Sequence, residues 1–472
     1  MFKGLDEALQ FVADHDIRTI DLKFADLWGR WHRVTISSRI FNQEMMEAGV
    51  GFDGSSVGLK SVDSGDMVLI PDLSTGFMDP FAEQPLLSFI CNTHEAGSKR
   101  LFAQDPRQIA RRAEEYMASL GIADSGVWGP ELEFYIFDRV SFHSDAFGSA
   151  YQVRCVESNR DADVNQPAYF IKPHGGYHAA SPHDHFFDIR NTIVTMLEDV
   201  GVPIKYHHHE VGGSGQCEIE TPMLPTIQAA DAMMIIKYFT KNVANQRGFT
   251  ASFLPKPMYG EAGNGMHFHQ HIFKKGVNQF YNADDPMLLS DIAYQYICGL
   301  LTHAPALLAF TNPSTNSYKR LVPGYEAPIG CFFSLGNRSA AVRIPEYANQ
   351  PDTVRFEYRP PDATCNLYLA MASMLMAGID GIVNKMSPAD HNFGPINENI
   401  FNWPEEERKK IKNLPTSLEG ALDALEADHE FLMAGGVFSE EIIHSWIKNK
   451  RKEMIEVRNR PHPFEIELYS DL

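Results

Sequence analysis

The sequence predicts an α+β protein of at least two domains, and three observations carry that expectation. Up to about residue 100 the chain consists of short strand-like runs separated by turns. Beyond that point, strands whose alternate residues are acids, histidines or arginines are interleaved with long helical segments bearing an apolar stripe. At 472 residues the chain is also far longer than one typical domain, so a large core is expected.

Taken in order, Leu5 to His15 has helical periodicity. Ile20 to Phe24, the turn Asp26-Leu27-Trp28-Gly29 and His32 to Ile36 read as a hairpin. A boundary is expected near residues 98–106, where Gly97-Ser98-Lys99-Arg100 leads through Asp105-Pro106 into a helix whose proline suits the first turn. The domains are therefore placed at 15–100 and 106–472. Residues 140–186 show no sustained period and are rich in His, Asp, Ser and Pro. They read as a long loop with a functional role or an oligomer contact. Pro225 to Arg247 is a helix whose stripe of Ile227, Ala230, Met234 and Tyr238 belongs in the core. The Met-rich stretch Tyr368 to Ile382 reads as a buried helix.

Composition narrows the function. The formal net charge of −20 argues against nucleic acid or an anionic membrane surface as the main partner. The six cysteines, Cys91, Cys155, Cys217, Cys298, Cys331 and Cys365, have no paired spacing, which suggests reduced, buried thiols in a cytoplasmic protein. Residues 1–20 contain Asp and Glu and no long apolar stretch, so no signal peptide is read. No run approaches the ~20 apolar residues of a membrane span.

The most informative segment is Gly263-Asn264-Gly265-Met266-His267-Phe268-His269-Gln270-His271, a glycine-rich turn running into three histidines at alternating positions. On a strand these imidazoles share one face. Three other segments repeat the design: Glu131 and Glu133, Glu218 and Glu220, and Arg355, Glu357 and Arg359. One such pair is most simply an exposed sheet face. Four in one chain point instead to a cavity for metal and polyanion. Glu131, Glu133, Glu210, Glu218, Glu357 and His267 offer five carboxylates and one imidazole, a hard donor set suited to Mg²⁺ or Mn²⁺ rather than structural zinc. Two metals bridging phosphate oxygens are the natural use of this set.

Arg320, Arg338, Arg343, Arg355 and Arg359 supply forks for carboxylate and phosphate oxygens, fitting an anionic substrate together with a nucleoside triphosphate. No GxxxxGK[ST] occurs, so this is not a P-loop enzyme. His207-His208-His209 precedes Glu210, but consecutive strand residues face opposite sides. At most one or two could reach one ion, and supporting or packing roles are assigned to them.

At this point a resemblance can be stated. FDGSS at Phe52 to Ser56, GPELEFYIF, HHHE, PKPMYGEAGNGMHFH, NSYKRLVPGYEAP, NRSAAVRIP and FEYRPPD resemble the signature segments of class I bacterial glutamine synthetases, in family order. The resemblance implies a β-grasp domain over 15–100 and, over 106–472, a catalytic domain around a curved antiparallel sheet flanked by helices. It implies twelve subunits in two stacked six-membered rings, with active sites between neighbours. It also implies ATP-dependent ligation of ammonia to the γ-carboxylate of L-glutamate through γ-glutamyl phosphate, giving glutamine, ADP and phosphate.

By motif, Glu133, Glu210 and Glu218 would hold one divalent ion and Glu131, His267 and Glu357 the other. Arg320, Arg338 and Arg359 would orient glutamate and stabilise the transferring phosphoryl, with Gly263 offering backbone contact. Arg343 and His269 would lie against the ATP phosphates, with His271 near the nucleotide. Asp53, from the adjacent subunit, would take a proton from ammonium. Glu326 would close over the acyl phosphate, and Tyr177 would contribute to the ammonium site. The reading of Asp53 from residues alone is an Asx turn in Asp-Gly-Ser-Ser.

The chain departs from the pattern at Phe401, where adenylylated members carry tyrosine, and at His271 and Asp352, where many have serine and lysine. Glu220 is an additional acid with no assigned role. Three other readings compete with glutamine synthesis: a γ-glutamyl ligase using an amine or polyamine, a kinase acting on a carboxylate or guanidine, and an inactive structural oligomer. The intact Asp53 segment speaks against the first and the complete metal and arginine sets against the last; glutamine formation with ammonia separates the kinase.

Overall fold

The computed structural model describes residues 2–60, 65–158, 169–323, 327–398, 400 and 403–472. Glu326 and Phe401 lie outside the described residues. After helix α1 (Leu5–Asp14) come β1 (Thr19–Ala25), β2 (Trp31–Ser37), helix α2 (Gln43–Ala48), β3 (Val50–Asp53), β4 (Asp66–Pro71), β5 (Phe77–Met78) and β6 (Leu86–Glu95). They form a six-stranded sheet of order β2-β1-β6-β4-β3, with β5 on β6, in which only β1 and β6 run parallel. The hairpin expected at residues 20–36 is present. Its turn is closed by Asp26, whose carboxylate accepts from the amides of Trp28 and Arg30 at 2.9 Å each, while Gly29 takes the positive φ of +79° that the bend demands.

A larger sheet is assembled from β7 (Ser125–Phe137) and strands further along. A short pair, β8 (Arg139–Ser144) and β9 (Ser149–Arg154), stands apart from it as its own hairpin. The sheet takes up β10 (Tyr206–His209), β11 (Gln216–Glu220), β12 (Leu224–Pro225), β13 (Thr250–Ser252), β14 (Met266–Lys274), β15 (Val277–Asn278), β16 (Gly330–Leu335), β17 (Ala340–Ile344) and β18 (Phe356–Tyr358). Its order is β10-β11-β7-β14-β18-β17-β16, with β12 and β13 on β7 and β15 on β14. All pairs are antiparallel except β16 with β17, a difference from the all-antiparallel expectation. Parallel neighbours normally need a long crossover. Here residues 336–339 alone connect them, and the pairing is irregular between Gly330 and Phe333.

The hairpin of β8 and β9 corrects the reading of 140–186 as one irregular loop. Both of its faces are largely exposed, with Phe142 and Tyr151 in solvent, so there is no apolar–polar alternation for a sequence reading to detect.

Helices cover this sheet: α3 (Pro106–Ser119), α4 (Phe187–Asp199), α5 (Thr226–Gln246), α6 (Asp291–Thr311), the one-turn α7 (Ser317–Arg320) and α8 (Leu367–Val383). Helix α3 begins at Pro106 as expected, and Asp105 caps it. One carboxylate oxygen accepts from the Arg107 amide, and the other accepts from the amide and hydroxyl of Thr93 in β6. The cap therefore also ties the two sheets' halves of the chain together. Helix α6 has the length and composition of a membrane span, closer to one than the sequence reading allowed, but 72% of its most apolar window is buried. It packs against α8 with almost no gap. A Cβ at Gly299 would meet the Ala377 carbonyl at 2.1 Å, and one at Gly381 the Gln295 carbonyl at 2.1 Å.

Lys23 of β1 is 2% exposed and is held by Asp21 at 2.7 Å and Asp79 at 3.2 Å. Tyr238, the last residue of the expected stripe on α5, donates its hydroxyl to Asp79 at 2.9 Å. The stripe thus ends in an ion cluster that fastens the small sheet to the large one.

Candidate active site

The site follows from strand register. On β7, Glu131 and Glu133 face one side; across from them on β11 stand Glu220 and Glu218. The next strand outward places His208 opposite Glu218 and Tyr206 opposite Glu220. On the other flank His267 of β14 is opposite Glu131, His269 is opposite Glu357 of β18, and Glu357 is opposite Arg343 of β17. Directly opposed residues on one face have side chains about 4.5–5.5 Å apart at Cβ, so six strands deliver their charges to one surface.

That surface is the floor of a cavity of about 300 Å³. Glu131, Glu133, Tyr177, Glu210, Glu218, Gly263, His267, Arg320, Arg338, Arg343, Glu357 and Arg359 all line it. Two trios within it have ligand atoms lying within 4.8 Å of one another: Glu131, His267 and Glu357, and His208, Glu210 and Glu218. Glu133 is near the second trio in register, but its Oε2 accepts from the Gly265 amide at 2.7 Å and from Gln216 Nε2 at 3.2 Å.

Electrostatics separates the two trios. Burial pushes the Glu210 carboxyl up to about 8, aided by Glu133 and Glu218. Burial, then Glu131 and Glu133, raise Glu218 well above the usual carboxylate range. In the other trio, burial opposes ionisation of Glu357, but Arg359 overrides it and the carboxyl falls to about 2. Burial likewise disfavours charge on Glu131, yet the bonded rings of His269 and His267 hold it well below its ordinary value. Carboxylates that repel one another on one side and lie beside arginines on the other suit divalent cations and phosphate oxygens.

The arginines are fixed from behind. Arg320 is buried, donating to the carbonyls of Pro360 at 2.7 Å and Arg359 at 3.2 Å and to His267 Nε2 at 3.3 Å. Arg343 donates to Glu357 Oε2 at 2.7 Å, and Arg359 to Glu357 Oε1 and to the Arg338 carbonyl. Each guanidinium carries five N–H groups, so forks anchored this way keep donors for a ligand. Gly263 can only be glycine here, since a Cβ would meet the Pro255 carbonyl at 2.5 Å and Arg320 Cγ at 2.8 Å. Tyr177 is half-exposed; burial and Glu210 raise its hydroxyl, while Arg338 opposes them.

Not every expected residue lines this cavity. His269 is buried behind it, its Nε2 at 2.8 Å from Glu131. His271 lines a second, more apolar cavity of about 530 Å³ with Val127, Met223, Phe273, Asp352 and Arg355. Burial lowers the His271 ring to about 4, which keeps it neutral. Asp53 is exposed within its own chain and closes an Asx turn, accepting from the Ser55 amide at 2.9 Å and from the hydroxyls of Ser55 at 2.7 Å and Ser56 at 2.8 Å. Those bonds lower its carboxyl, so it is ionised at neutral pH.

Sequence reasoning gave His208 only a supporting or packing role and left out Gln216, Tyr206 and Tyr347. Among the three consecutive histidines, His208 is the one that faces the acids, with its Nε2 3.5 Å from Glu218. His209 instead pairs with the buried Glu157 at 2.9 Å. The alternation of β10 with Glu218 across from it was the available signal. Gln216 is two positions before Glu218, and this period-2 placement could have identified it as well. Nothing in the sequence marks Tyr347.

Comparison with known proteins agrees with this geometry. Residues 103–469 match the glutamine synthetase catalytic-domain family, and residues 16–96 the glutamine synthetase β-grasp-domain family. The chain is 43% identical to a glutamine synthetase of Frankia alni over the whole of both chains, and 45% identical to one of a Nostoc species over 99% of each. Among solved structures, a Plasmodium falciparum glutamine synthetase superposes with a TM-score of 0.90 at 28% identity, covering 99% of both chains. Two family domains spanning nearly the full sequence, and relatives matched end to end, show that the chain belongs to the glutamine synthetase family.

Proposed function

We propose that this cavity is where the chain joins ammonia to the γ-carboxylate of L-glutamate at the expense of ATP. The activity is that of its family, which uses ATP and depends on divalent metal. The observation that carries the assignment to this cavity is the convergence of five carboxylates, two imidazoles and four arginines on a single surface. Two cations, Mg²⁺ or Mn²⁺, would be held by Glu131, His267 and Glu357 and by Glu133, Glu210 and Glu218, with His208 beside the latter. When bound, they neutralise phosphate oxygens during transfer.

A carboxylate is a poor electrophile, and phosphorylation gives it a leaving group. Arg320 and Arg359 hold glutamate's charged groups, with Gly263 offering backbone contact. Arg338 stabilises the moving phosphoryl group, and Arg343 borders the ATP phosphates, while His269, expected beside it, lies buried behind Glu131. His271 lies further along β14, on the nucleoside side. Ammonium has no lone pair, so it must lose a proton before attack; Asp53 of a neighbouring subunit accepts it, beside Tyr177. Glu326 closes over the acyl phosphate and excludes water.

A dodecamer of two stacked hexameric rings would let Asp53, exposed in its own chain, reach the site of a neighbouring subunit. Cytoplasmic location is supported by six buried, unpaired thiols. The decisive assay measures phosphate release dependent on ATP, ammonium and glutamate, with the product identified as glutamine. Absence of glutamine with both Mg²⁺ and Mn²⁺, or preference for a polyamine over ammonium, would sink the reading.

A further inference from the structure

Arg355 stands where the two cavities meet. It is buried immediately before β18, lines the apolar cavity that holds His271, and reaches toward the metal-type trio through His269. Its Nε donates to His269 Nδ1 at 3.4 Å, and its Nη1 to the Thr353 carbonyl at 3.0 Å. A guanidinium has donors and no acceptor, so a hydrogen bond between it and an imidazole nitrogen has only one sense. The Nδ1 of His269 must present its lone pair.

The ring hydrogen of His269 is therefore on Nε2, which lies 2.8 Å from Glu131 Oε1 and donates to it. The other oxygen of Glu131 is left toward His267 Nδ1, 3.0 Å away, and toward Glu357. At the outer end of this chain, the ring of Tyr347 covers Arg355, with the guanidinium carbon 5.5 Å from the ring centroid. Tyr347 also lines the metal-type cavity.

We propose that Arg355 is a positioning residue: clamped by the Tyr347 ring, it fixes His269 in its Nε2–H form, and His269 in turn aims Glu131 at the ion shared with His267 and Glu357. The proposal rests on the reading of that trio as an ion site. A neighbouring group, Glu131, Glu220 and His269, also brings ligand atoms within 4.8 Å of one another. There the charge of Glu220 is matched by Lys205 Nζ, 2.6 Å from its Oε1.

Groups that orient a metal's ligands typically contribute ten- to a hundredfold in affinity, on the order of what is expected here. The test strips the full-length assembled protein with a chelator and titrates it with Mn²⁺, following heat and the electron paramagnetic resonance signal of free ion. The wild type should take up two ions per chain. Arg355→Gln should weaken one of them by about ten- to a hundredfold and leave the other unchanged. Tyr347→Phe, which keeps the ring, should bind as wild type, whereas Tyr347→Ala should weaken the same single site. This pair keeps the idea testable if Arg355→Gln fails to fold.

A general structural role for Arg355 would lower both affinities together, and that outcome counts against the proposal. Folded Arg355→Gln binding both ions with wild-type affinity overturns it while leaving the proposed function intact. A wild-type protein that takes up no Mn²⁺ overturns the ion reading and this inference with it.

Discussion

Glu357 has no exposed surface and touches Arg343, Arg359 and His267, so removing its carboxylate removes the one acceptor common to these groups. Glu357→Ala should lose turnover chiefly through lost ion binding. Mn²⁺ at a hundredfold over its dissociation constant should stabilise the wild type by about 2.7 kcal/mol, and the variant far less. Thermal melts with and without Mn²⁺ check this; equal shifts would remove Glu357 from the ligand set. Glu210 gives a pH prediction with a definite sign. Its folded-state carboxyl is pushed up to about 8 from an ordinary 4.5. Its contribution to the stability of the ion-free fold is therefore complete below about 4.5 and is lost as pH rises through 8. The ion-free protein should melt progressively lower across this window, saturating Mn²⁺ should flatten the trend, and binding at pH 7 should release protons. Calorimetry in two buffers of different ionisation heat measures the release, and a binding heat independent of buffer would refute it. At this scale most of the site was legible, because period-2 spacing alone puts Glu131 with Glu133 and His267 with His269 on common faces. His208 was obscured because three identical residues in a row carry no phase, and phase came only from pairing with Glu218.

Elements with one buried face announced themselves, among them α1, the first hairpin, α3 and α5, and α8, buried nearly all round, did so by its apolar composition, whereas β8 and β9 did not. Their residues face solvent on both sides, and pattern reading needs a contrast between faces. Register, too, was beyond the sequence: nothing local says that β7 lies between β11 and β14, although that order is what gathers the acids. Two predictions belong to element contacts. Lys23→Ala would leave Asp21 and Asp79 buried with one cation fewer, and breaking such a cluster costs about 3–5 kcal/mol. Chemical denaturation should show that loss, while a change under 1 kcal/mol would mean water reaches the cluster. Gly299→Ala drives a methyl into the Ala377 carbonyl and should part α6 from α8, destabilising the protein by about 1–3 kcal/mol. An unaltered melting midpoint would show that the helices can slide apart without loss.

For the whole molecule the test is division of labour between chains. Asp53 belongs to the small sheet and Glu357 to the large one, so Asp53→Ala and Glu357→Ala subunits assembled together should recover part of the activity that each lacks alone. No recovery in verified mixed assemblies would mean that every site is built within one chain. Phe401 has no hydroxyl, so incubation with an adenylyltransferase and labelled ATP should leave residues 397–407 unlabelled by peptide mass spectrometry. A feature of β14 sets a constraint on how this molecule can change over generations. Its three histidines advance about 6.8 Å per two residues, so the strand works as a graduated scale running from the ion trio to the apolar cavity. Losing one residue between His267 and His271 would turn a mark to the wrong side. Losing two would keep the side and shorten the scale by a full division. Point substitution remains open at each mark, as His271 illustrates, but the spacing between marks is closed to gradual revision.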